Sequence, residues 1–188
     1  RRQLLDSRIS NTRAMEFFDL KTQYQRLKFD IDAAVQGVLD HGQYILGPEV
    51  AELEEKLVTY SGAKHCITVA NGTDALQIAM MALNLAEGDE VILPAFTYTA
   101  TAEVIALLKL KPVFVEVCAN TFNIDVAAIE AAITRKTKAL LPVHLSGQCA
   151  NMEAILALAV QHNLFIIEDA AQAIGAQYTI ASGEILQA

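Results

Sequence analysis

In the stretch LFIIEDAAQA, residues 164–173, an apolar run ends in two adjacent carboxylates, Glu168 and Asp169. The run predicts a buried strand, and burying an unpaired carboxylate costs several kcal/mol. Asp169 therefore needs a cationic partner, unless it is the N-cap of the Ala-rich segment that follows. Because side chains alternate along a strand, we expect Glu168 to face the opposite way, towards solvent or a helix terminus.

Four apolar runs upstream repeat this strand-like pattern and alternate with helix-like segments. The five predicted strands are HCITVA (65–70), EVILP (90–94), PVFVEV (112–117), KALLPV (138–143) and LFIIE (164–168). The predicted helices cover residues 75–86, 99–110, 126–133 and 151–162. This order predicts an α/β fold, a three-layer sandwich with a mostly parallel sheet covered by helices on both faces. In such sheets ligands bind at the carboxyl ends of the strands.

Composition argues against several classes of function. The formal net charge of −8 leaves no basic stripe for the phosphates of a nucleic acid. No apolar run reaches the roughly 18–20 residues of a membrane span, and residues 1–14 lack the apolar core of a signal peptide. Three widely spaced cysteines, Cys66, Cys118 and Cys149, favour reduced structural thiols over a metal site. We therefore expect a cytoplasmic protein with no nucleic-acid, membrane or metal partner.

The segment VANGTDALQ, residues 69–77, combines a predicted strand end, a sharp turn and a helix start. The first amides of a helix have no internal partners and lie at the positive end of its dipole, so they can bind an anion. Gly72 allows close approach of the backbone, and the Thr73 hydroxyl adds a donor. The alternative is that Asn71 or Thr73 simply caps the helix.

The segment PAFTYTAT, residues 94–101, follows the next predicted strand and carries two aromatic rings, Phe96 and Tyr98. A ring at a strand end can stack on a flat ligand. Alternatively, both rings are ordinary core or subunit-contact residues.

Together the three strand ends describe a flat aromatic ligand with a phosphate at one end and a basic ring nitrogen at the other. Pyridoxal 5′-phosphate fits this description. A fixed carboxylate such as Asp169 would keep its pyridine nitrogen protonated, so that the ring can act as an electron sink.

At these residues the chain resembles the sugar aminotransferases of the DegT/DnrJ/StrS type, within the fold-type-I pyridoxal-phosphate enzymes. The matching stretches are FFDLKTQY, GQYILGPEVAELEE, NGTDAL, GDEVILPAFTYTATAEVI, LPVHLSGQ and IIEDAAQAIGA. They extend from Phe17 to Ala176, in the order that the family shows. The resemblance implies the incomplete large domain of the fold-type-I aminotransferase fold. It divides the chain into an extension (1–14), an N-terminal helical segment (15–60) and an incomplete cofactor-binding domain (61–188).

The resemblance also implies roles for individual residues. Gly72, Thr73 and Asp74 look like the phosphate cradle, and Tyr98 like the residue that stacks on the cofactor ring. Asp169 looks like the partner of the pyridine nitrogen, and Gln172 like the donor to the ring hydroxyl oxygen. His144 and Gln148 belong to the LPVHLSGQ pattern and are expected to shape the loop.

One departure from the family concerns catalysis. The family's Schiff-base lysine lies downstream of the aspartate, and no lysine follows Asp169 in this chain. The eight lysines lie outside the matched position, so no catalytic residue is assigned. We therefore expect the amino-terminal part of an aminotransferase, with weak cofactor binding at most and negligible transamination.

In a complete relative, an amino donor, typically glutamate, passes its amine to a keto-sugar attached to a nucleotide, and a homodimer is implied. Three alternatives stay open. One is a relative without the lysine, acting as a sugar dehydratase or a regulator. Another is a non-catalytic, Rossmann-like module that binds a phosphate ligand. The third is a structural or interaction remnant that associates through exposed apolar surface.

Overall fold

The structure is a computed structural model that describes residues 18–187. The prediction of an extension at residues 1–14 falls outside this range. The chain divides into two units, residues 1–51 and 52–188. No helix within the described range is long and apolar enough to cross a membrane.

The order of elements follows the predicted alternation. The helices are α1 (Leu20–His41), α2 (Pro48–Ser61), α3 (Gly72–Ala82), α4 (Ala100–Leu107), α5 (Val126–Ala132) and α6 (Met152–His162). The strands are β1 (Glu90–Pro94), β2 (Lys111–Val115), β3 (Thr137–Leu140), β4 (Phe165–Ile166), β5 (Gln177–Thr179) and β6 (Ile185–Gln187). A short 3₁₀ turn covers Leu145–Gly147.

The first unit contains α1 and the start of α2, the two helices predicted around the Gly-rich link. Asp19 caps α1 by accepting the amide proton of Thr22 at 2.9 Å. The helix ends at Gly42, whose left-handed φ of 70° is cheap only for glycine. α1 itself buries no residue.

The second unit is built on a four-stranded parallel sheet with the order β2-β1-β3-β4. Side chains on β1 alternate between two apolar clusters. Val91 and Leu93 pack with α3 and α4, whereas Ile92 packs with α5 and α6. Helices thus cover both faces of the sheet, and the predicted three-layer α/β sandwich is confirmed.

The strand predicted for HCITVA is wrong, because residues 65–70 have no regular secondary structure. A strand exists only when another strand pairs with it, and no backbone bridge to this segment is recorded among the described residues. Instead, the Glu54 carboxylate accepts both the amide and the hydroxyl of Thr68, each at 2.8 Å. Ile67, which the pattern places in the core, is 80% exposed.

The other four predicted strands are present. β1 has the predicted bounds, and β2, β3 and β4 are shorter than predicted. The last two named parallel strands end at Leu140 and Ile166, although an isolated parallel bridge between Val143 and Asp169 continues their pairing. The tail forms a hairpin, with β5 and β6 antiparallel.

Glu90 is a buried carboxylate at the opposite, amino edge of the sheet, where β1 begins. It accepts hydrogen bonds from the Thr134 hydroxyl and from Lys111 Nζ, the latter at 2.9 Å. The Thr134 bond first, and then Lys111, lower the pKa of Glu90 below its usual value. Glu90 is thus satisfied within the fold.

We expect the substitution Glu90→Gln to lower the free energy of unfolding at neutral pH by about 1–3 kcal/mol, since it weakens hydrogen bonds to a buried charge. A depressed folded-state pKa stabilises the protein above the unfolded pKa, and this stability is lost as the pH falls through the folded value. The gap between wild type and variant in urea unfolding should therefore shrink in acid. Glu87→Gln is the control, because its ion pair with Lys109 is exposed. A gap that does not change with pH would contradict the assignment.

Candidate functional site

Asp169 lies at the carboxyl edge of the sheet, as the sequence predicts. Its amide donates to the Pro142 carbonyl at 2.9 Å, and its carbonyl accepts from the His144 amide at 3.0 Å. The residue is half-buried, and its Oδ1 accepts the Ala171 amide at 3.2 Å. Asp169 therefore makes the local turn contact of the capping alternative and is also fixed to the neighbouring strand.

The second carboxylate oxygen of Asp169 faces the segment between β1 and α4. The buried hydroxyl of Thr101 lies 3.4 Å from Oδ2, and the Thr97 hydroxyl lies 3.3 Å from that of Thr101. This chain of hydroxyls joins the PAFTYTAT segment to Asp169. Sequence reasoning missed Thr101, although its position four residues after Thr97 at a helix start was an available signal.

Tyr98 lies on the same segment, between β1 and α4. Its side chain is 79% exposed, so it is not a core residue. Phe96 is also largely exposed and makes a tilted contact with Phe122, with ring centroids 5.6 Å apart. The interpretation of both rings as core residues therefore fails, and the face of Tyr98 is open to a ligand or a partner.

The start of α3 agrees with the capping alternative at Asn71. The Asn71 side chain accepts the Asp74 amide at 2.9 Å and donates to the Asp74 carboxylate at 3.0 Å. No hydrogen bond is recorded for the Gly72 and Thr73 amides within residues 18–187. A Cβ built on Gly72 would meet nothing within 4 Å. At the start of α3, the Asp74 amide is therefore capped, while the Gly72 and Thr73 amides have no recorded acceptor within residues 18–187.

Gln172 is anchored by its side-chain oxygen. Ser146 donates its amide to Gln172 Oε1 at 2.8 Å, across the loop that follows β3. This bond holds a strained turn, since Ser146 and Gly147 both have positive φ, 55° and 83°. Because Oε1 is occupied by a donor, the amide nitrogen of Gln172 is oriented away as a donor.

His144 is completely buried and contacts Glu168, with Nε2 lying 2.9 Å from Glu168 Oε2. Glu168 meets solvent as expected, because 35% of its side chain is exposed. The contact with His144, 24 positions away in sequence, was not predicted. The loop-shaping role predicted for His144 fits this geometry, because its Nδ1 also accepts the Ala150 amide at 3.2 Å. For Gln148, the structure records only backbone contacts.

Asn123 lies on the segment between β2 and α5. The cap of α5 is Asp125, whose side chain accepts the Ala127 amide at 2.9 Å. Asn123 is buried, and its side-chain nitrogen donates to the carbonyls of Gln148 and Cys149. It therefore fixes the loop in which Ser146 meets Gln172.

The negative charge of Glu168 acts on the side of the sheet away from Asp169. Burial, and then the charge of Glu168, raise the pKa of the Cys149 thiol. Burial first, then Glu168 and Cys149, raise the pKa of the Tyr178 hydroxyl. The Cys149 thiol and the Tyr178 hydroxyl are therefore protonated at neutral pH and unreactive.

The predicted site residues form two groups in the structure. Asp169, the segment carrying Tyr98, and the loop held by Gln172 are joined through the hydrogen bonds above. No contact between this group and Gly72, Thr73 or Asp74 is recorded in the described part of the chain. That part also contains no group of three or more His, Cys, Asp or Glu side chains that could hold a metal ion.

These residues fit pyridoxal 5′-phosphate at both of its ends. No ion pair is recorded for Asp169 among residues 18–187, so its half-buried carboxylate is free to face a protonated ring nitrogen. The Gly72 and Thr73 amides and the open space at Gly72 suit a phosphate at a helix start.

Comparisons with known proteins agree with this chemistry. The chain is 58% identical over 164 residues to UDP-2-acetamido-2-deoxy-3-oxo-D-glucuronate aminotransferase of Pseudomonas aeruginosa, covering 87% of this chain and 46% of that protein. It is 53% identical over 160 residues to the pleiotropic regulatory protein of Geobacillus stearothermophilus, covering 85% of this chain and 43% of that protein.

A crystal structure of NtdA from Bacillus subtilis with bound cofactor PMP (pyridoxamine 5′-phosphate) matches with a TM-score of 0.76 and 40% identity, covering 78% of this chain and 34% of that one. The chain thus spans less than half the length of each of these proteins. The model of the DegT/DnrJ/EryC1/StrS aminotransferase family matches residues 25–184. A match over this length means that the chain belongs to the DegT/DnrJ/EryC1/StrS aminotransferase family.

Proposed function

We propose that this chain forms the cofactor-binding part of a pyridoxal-phosphate-dependent aminotransferase that acts on a nucleotide-linked keto-sugar, with an amino acid donor such as glutamate. The observation that carries the proposal is Asp169, a half-buried carboxylate at the carboxyl edge of the sheet with a hydroxyl contact and no recorded cation. The aminotransferase relative from Pseudomonas aeruginosa supports the substrate class.

The phosphate of the cofactor is assigned to the start of α3. There the amides of Gly72 and Thr73 and the Thr73 hydroxyl act as donors, and the helix dipole favours the anion. Asp74 lies in the same turn, and its bonds to Asn71 brace the cradle.

The ring of the cofactor is assigned to the edge where β1 and β4 end. Tyr98 stacks on the ring face, Asp169 holds the proton on the ring nitrogen, and Gln172 donates its amide to the ring hydroxyl oxygen. When bound, pyridoxal phosphate supplies an electron sink for the substrate carbanion. The described residues bind and orient the group, and Asp169 keeps one proton in place.

The proton-transfer step needs a base, in this family a lysine that follows the aspartate, and no lysine follows Asp169 in these 188 residues. General acid–base catalysis is worth about 10²–10⁴-fold, and Lys138 is the last lysine in the sequence. We therefore assign negligible transamination to these 188 residues alone. A lysine-less dehydratase or regulator is the second candidate, supported by the similarity to the relative named a pleiotropic regulatory protein.

We further propose a cytoplasmic homodimer. Support comes from α1, which buries no side chain although it carries an apolar stripe spaced three or four residues apart. The stripe consists of Leu20, Tyr24, Leu27, Ile31 and Val35, all at least 39% exposed. Such a face is typical of a helix that packs on a partner.

Titration with pyridoxamine 5′-phosphate tests the site, because this form of the cofactor needs no lysine. We expect weak but measurable binding, and we expect Asp169→Asn to reduce the affinity about tenfold or more, since the ring nitrogen loses its counter-charge. Fluorescence of the ligand measures binding, and its absorption spectrum reports ring protonation.

Asp89→Asn is the matched control for this titration, because it makes the same change at the opposite edge of the sheet, where Asp89 accepts the Ala86 amide. Equal affinities of wild type, Asp169→Asn and Asp89→Asn would contradict the assignment of Asp169. Equal affinities would favour a phosphate-binding module without ring recognition.

The substitution Gly72→Ala tests the phosphate end separately. A Cβ at this position meets no atom of the protein, and alanine favours a helix, so the melting temperature should not fall. If the phosphate approaches the Gly72 backbone, affinity for pyridoxamine 5′-phosphate should fall about tenfold, whereas binding of pyridoxamine should not change. Loss of affinity for both ligands would place the ring, not the phosphate, at α3.

A further inference from the structure

The imidazole of His144 is held at both nitrogens inside the protein. Its side chain is fully buried. Nδ1 accepts the Ala150 amide at 3.2 Å, so the ring proton must be on Nε2. Nε2 then donates to Glu168 Oε2 at 2.9 Å. The Ala150 amide thus determines the tautomer, and the tautomer determines the direction of the bond to Glu168.

The main chain of His144 contacts the residue next to Glu168. Its amide donates to the Asp169 carbonyl at 3.0 Å, while the Asp169 amide donates to Pro142 at 2.9 Å. Together these bonds form the isolated parallel bridge between Val143 and Asp169. His144 therefore holds the Glu168–Asp169 pair by one side-chain bond and one backbone bond.

Adjacent residues in an extended chain project to opposite faces. Glu168 lies near Cys149 and Tyr178, and Tyr178 packs against the apolar cluster of α5 and α6. Asp169 faces the other way, towards Thr101 of α4. Fixing Glu168 on one face therefore fixes the direction of the Asp169 carboxylate on the other.

We propose that His144 is a positioning residue that aims Asp169 at the cofactor ring by anchoring Glu168 through Nε2. The proposal rests on the proposed function, in which Asp169 pairs with the ring nitrogen. The same imidazole, through Ala150, also holds the end of the loop whose Ser146 amide orients Gln172. One buried side chain thus sets two polar contacts of the ring.

Two pairs of variants test the proposal. Glutamine at 144 can accept from Ala150 and donate to Glu168, whereas leucine fills much of the volume without either bond. We expect His144→Gln to bind pyridoxamine 5′-phosphate within about threefold of wild type, and His144→Leu to bind about tenfold more weakly. Glu168→Gln and Glu168→Leu, at a partly exposed position, should give the same contrast if His144→Leu does not fold. His162→Leu, on the exposed end of α6, is the control.

Amide hydrogen exchange of the unliganded chain supplies a readout that does not depend on the cofactor. Exchange at the Asp169 amide should be slow in wild type, His144→Gln and His162→Leu, and faster in His144→Leu and Glu168→Leu. Side-chain nitrogen NMR should show the His144 proton on Nε2. If Asp169→Asn leaves ligand affinity unchanged while the exchange pattern is as expected, the proposed function fails but the anchoring of Asp169 stands.

Two results would overturn the positioning role. One is slow Asp169 exchange in both leucine variants. The other is an equal loss of affinity in His144→Gln and His144→Leu that is proportional to the loss of stability in each variant. That result would mean that His144 only fills space in the core.

Discussion

The site depends on how the fold accommodates two adjacent carboxylates at the carboxyl edge of a parallel sheet. Alternation sends Glu168 and Asp169 to opposite faces, so one backbone segment fixes both directions. Glu168 is satisfied within the chain by the buried imidazole of His144. Asp169 forms a backbone bridge with Val143 and contacts the hydroxyl of Thr101, but no ion pair is recorded for it among residues 18–187. The fold thus pairs Glu168 with an imidazole, whereas Asp169 is the carboxylate that we propose to meet the cofactor.

Much of the fold was predictable because it depends on burial with a regular period. The four strands of the sheet are short apolar runs bounded by turns. Each follows a helix, and three of these four helices have caps that are visible in the sequence. Asn71, Asp125 and Asn151 each accept an amide in the first turn of a helix. The position of Asp169 followed from the same logic, since carboxyl ends of parallel strands share one edge.

The failures come from contacts between residues far apart in sequence. HCITVA has the composition of a strand, but composition cannot supply the neighbour that pairs with it. The bonds from the Asn123 side chain to the carbonyls of Gln148 and Cys149 cannot be predicted from the residues around it. Glu168 meets solvent as predicted, but its contact with the buried His144 was not predictable, because His144 lies in another loop. In each case the missing information was the partner, which lies elsewhere in the sequence.

His41 also pairs with a glutamate, and the comparison shows that burial of the imidazole, rather than the His–Glu pairing alone, makes His144 a positioning residue. His41 uses the same arrangement: Nδ1 accepts the Gln43 amide at 3.0 Å, and Nε2 lies 2.8 Å from Glu49. Both partners of that pair are partly exposed, so water competes for each bond and the pair restrains its loop only weakly. The imidazole of His144 has no access to water, although 35% of the Glu168 side chain is exposed. Breaking either bond would therefore leave a buried nitrogen of the imidazole unpaired. The same arrangement of a backbone amide, an imidazole and a carboxylate therefore fixes the loop geometry when the imidazole is buried, and only favours it when the imidazole is exposed.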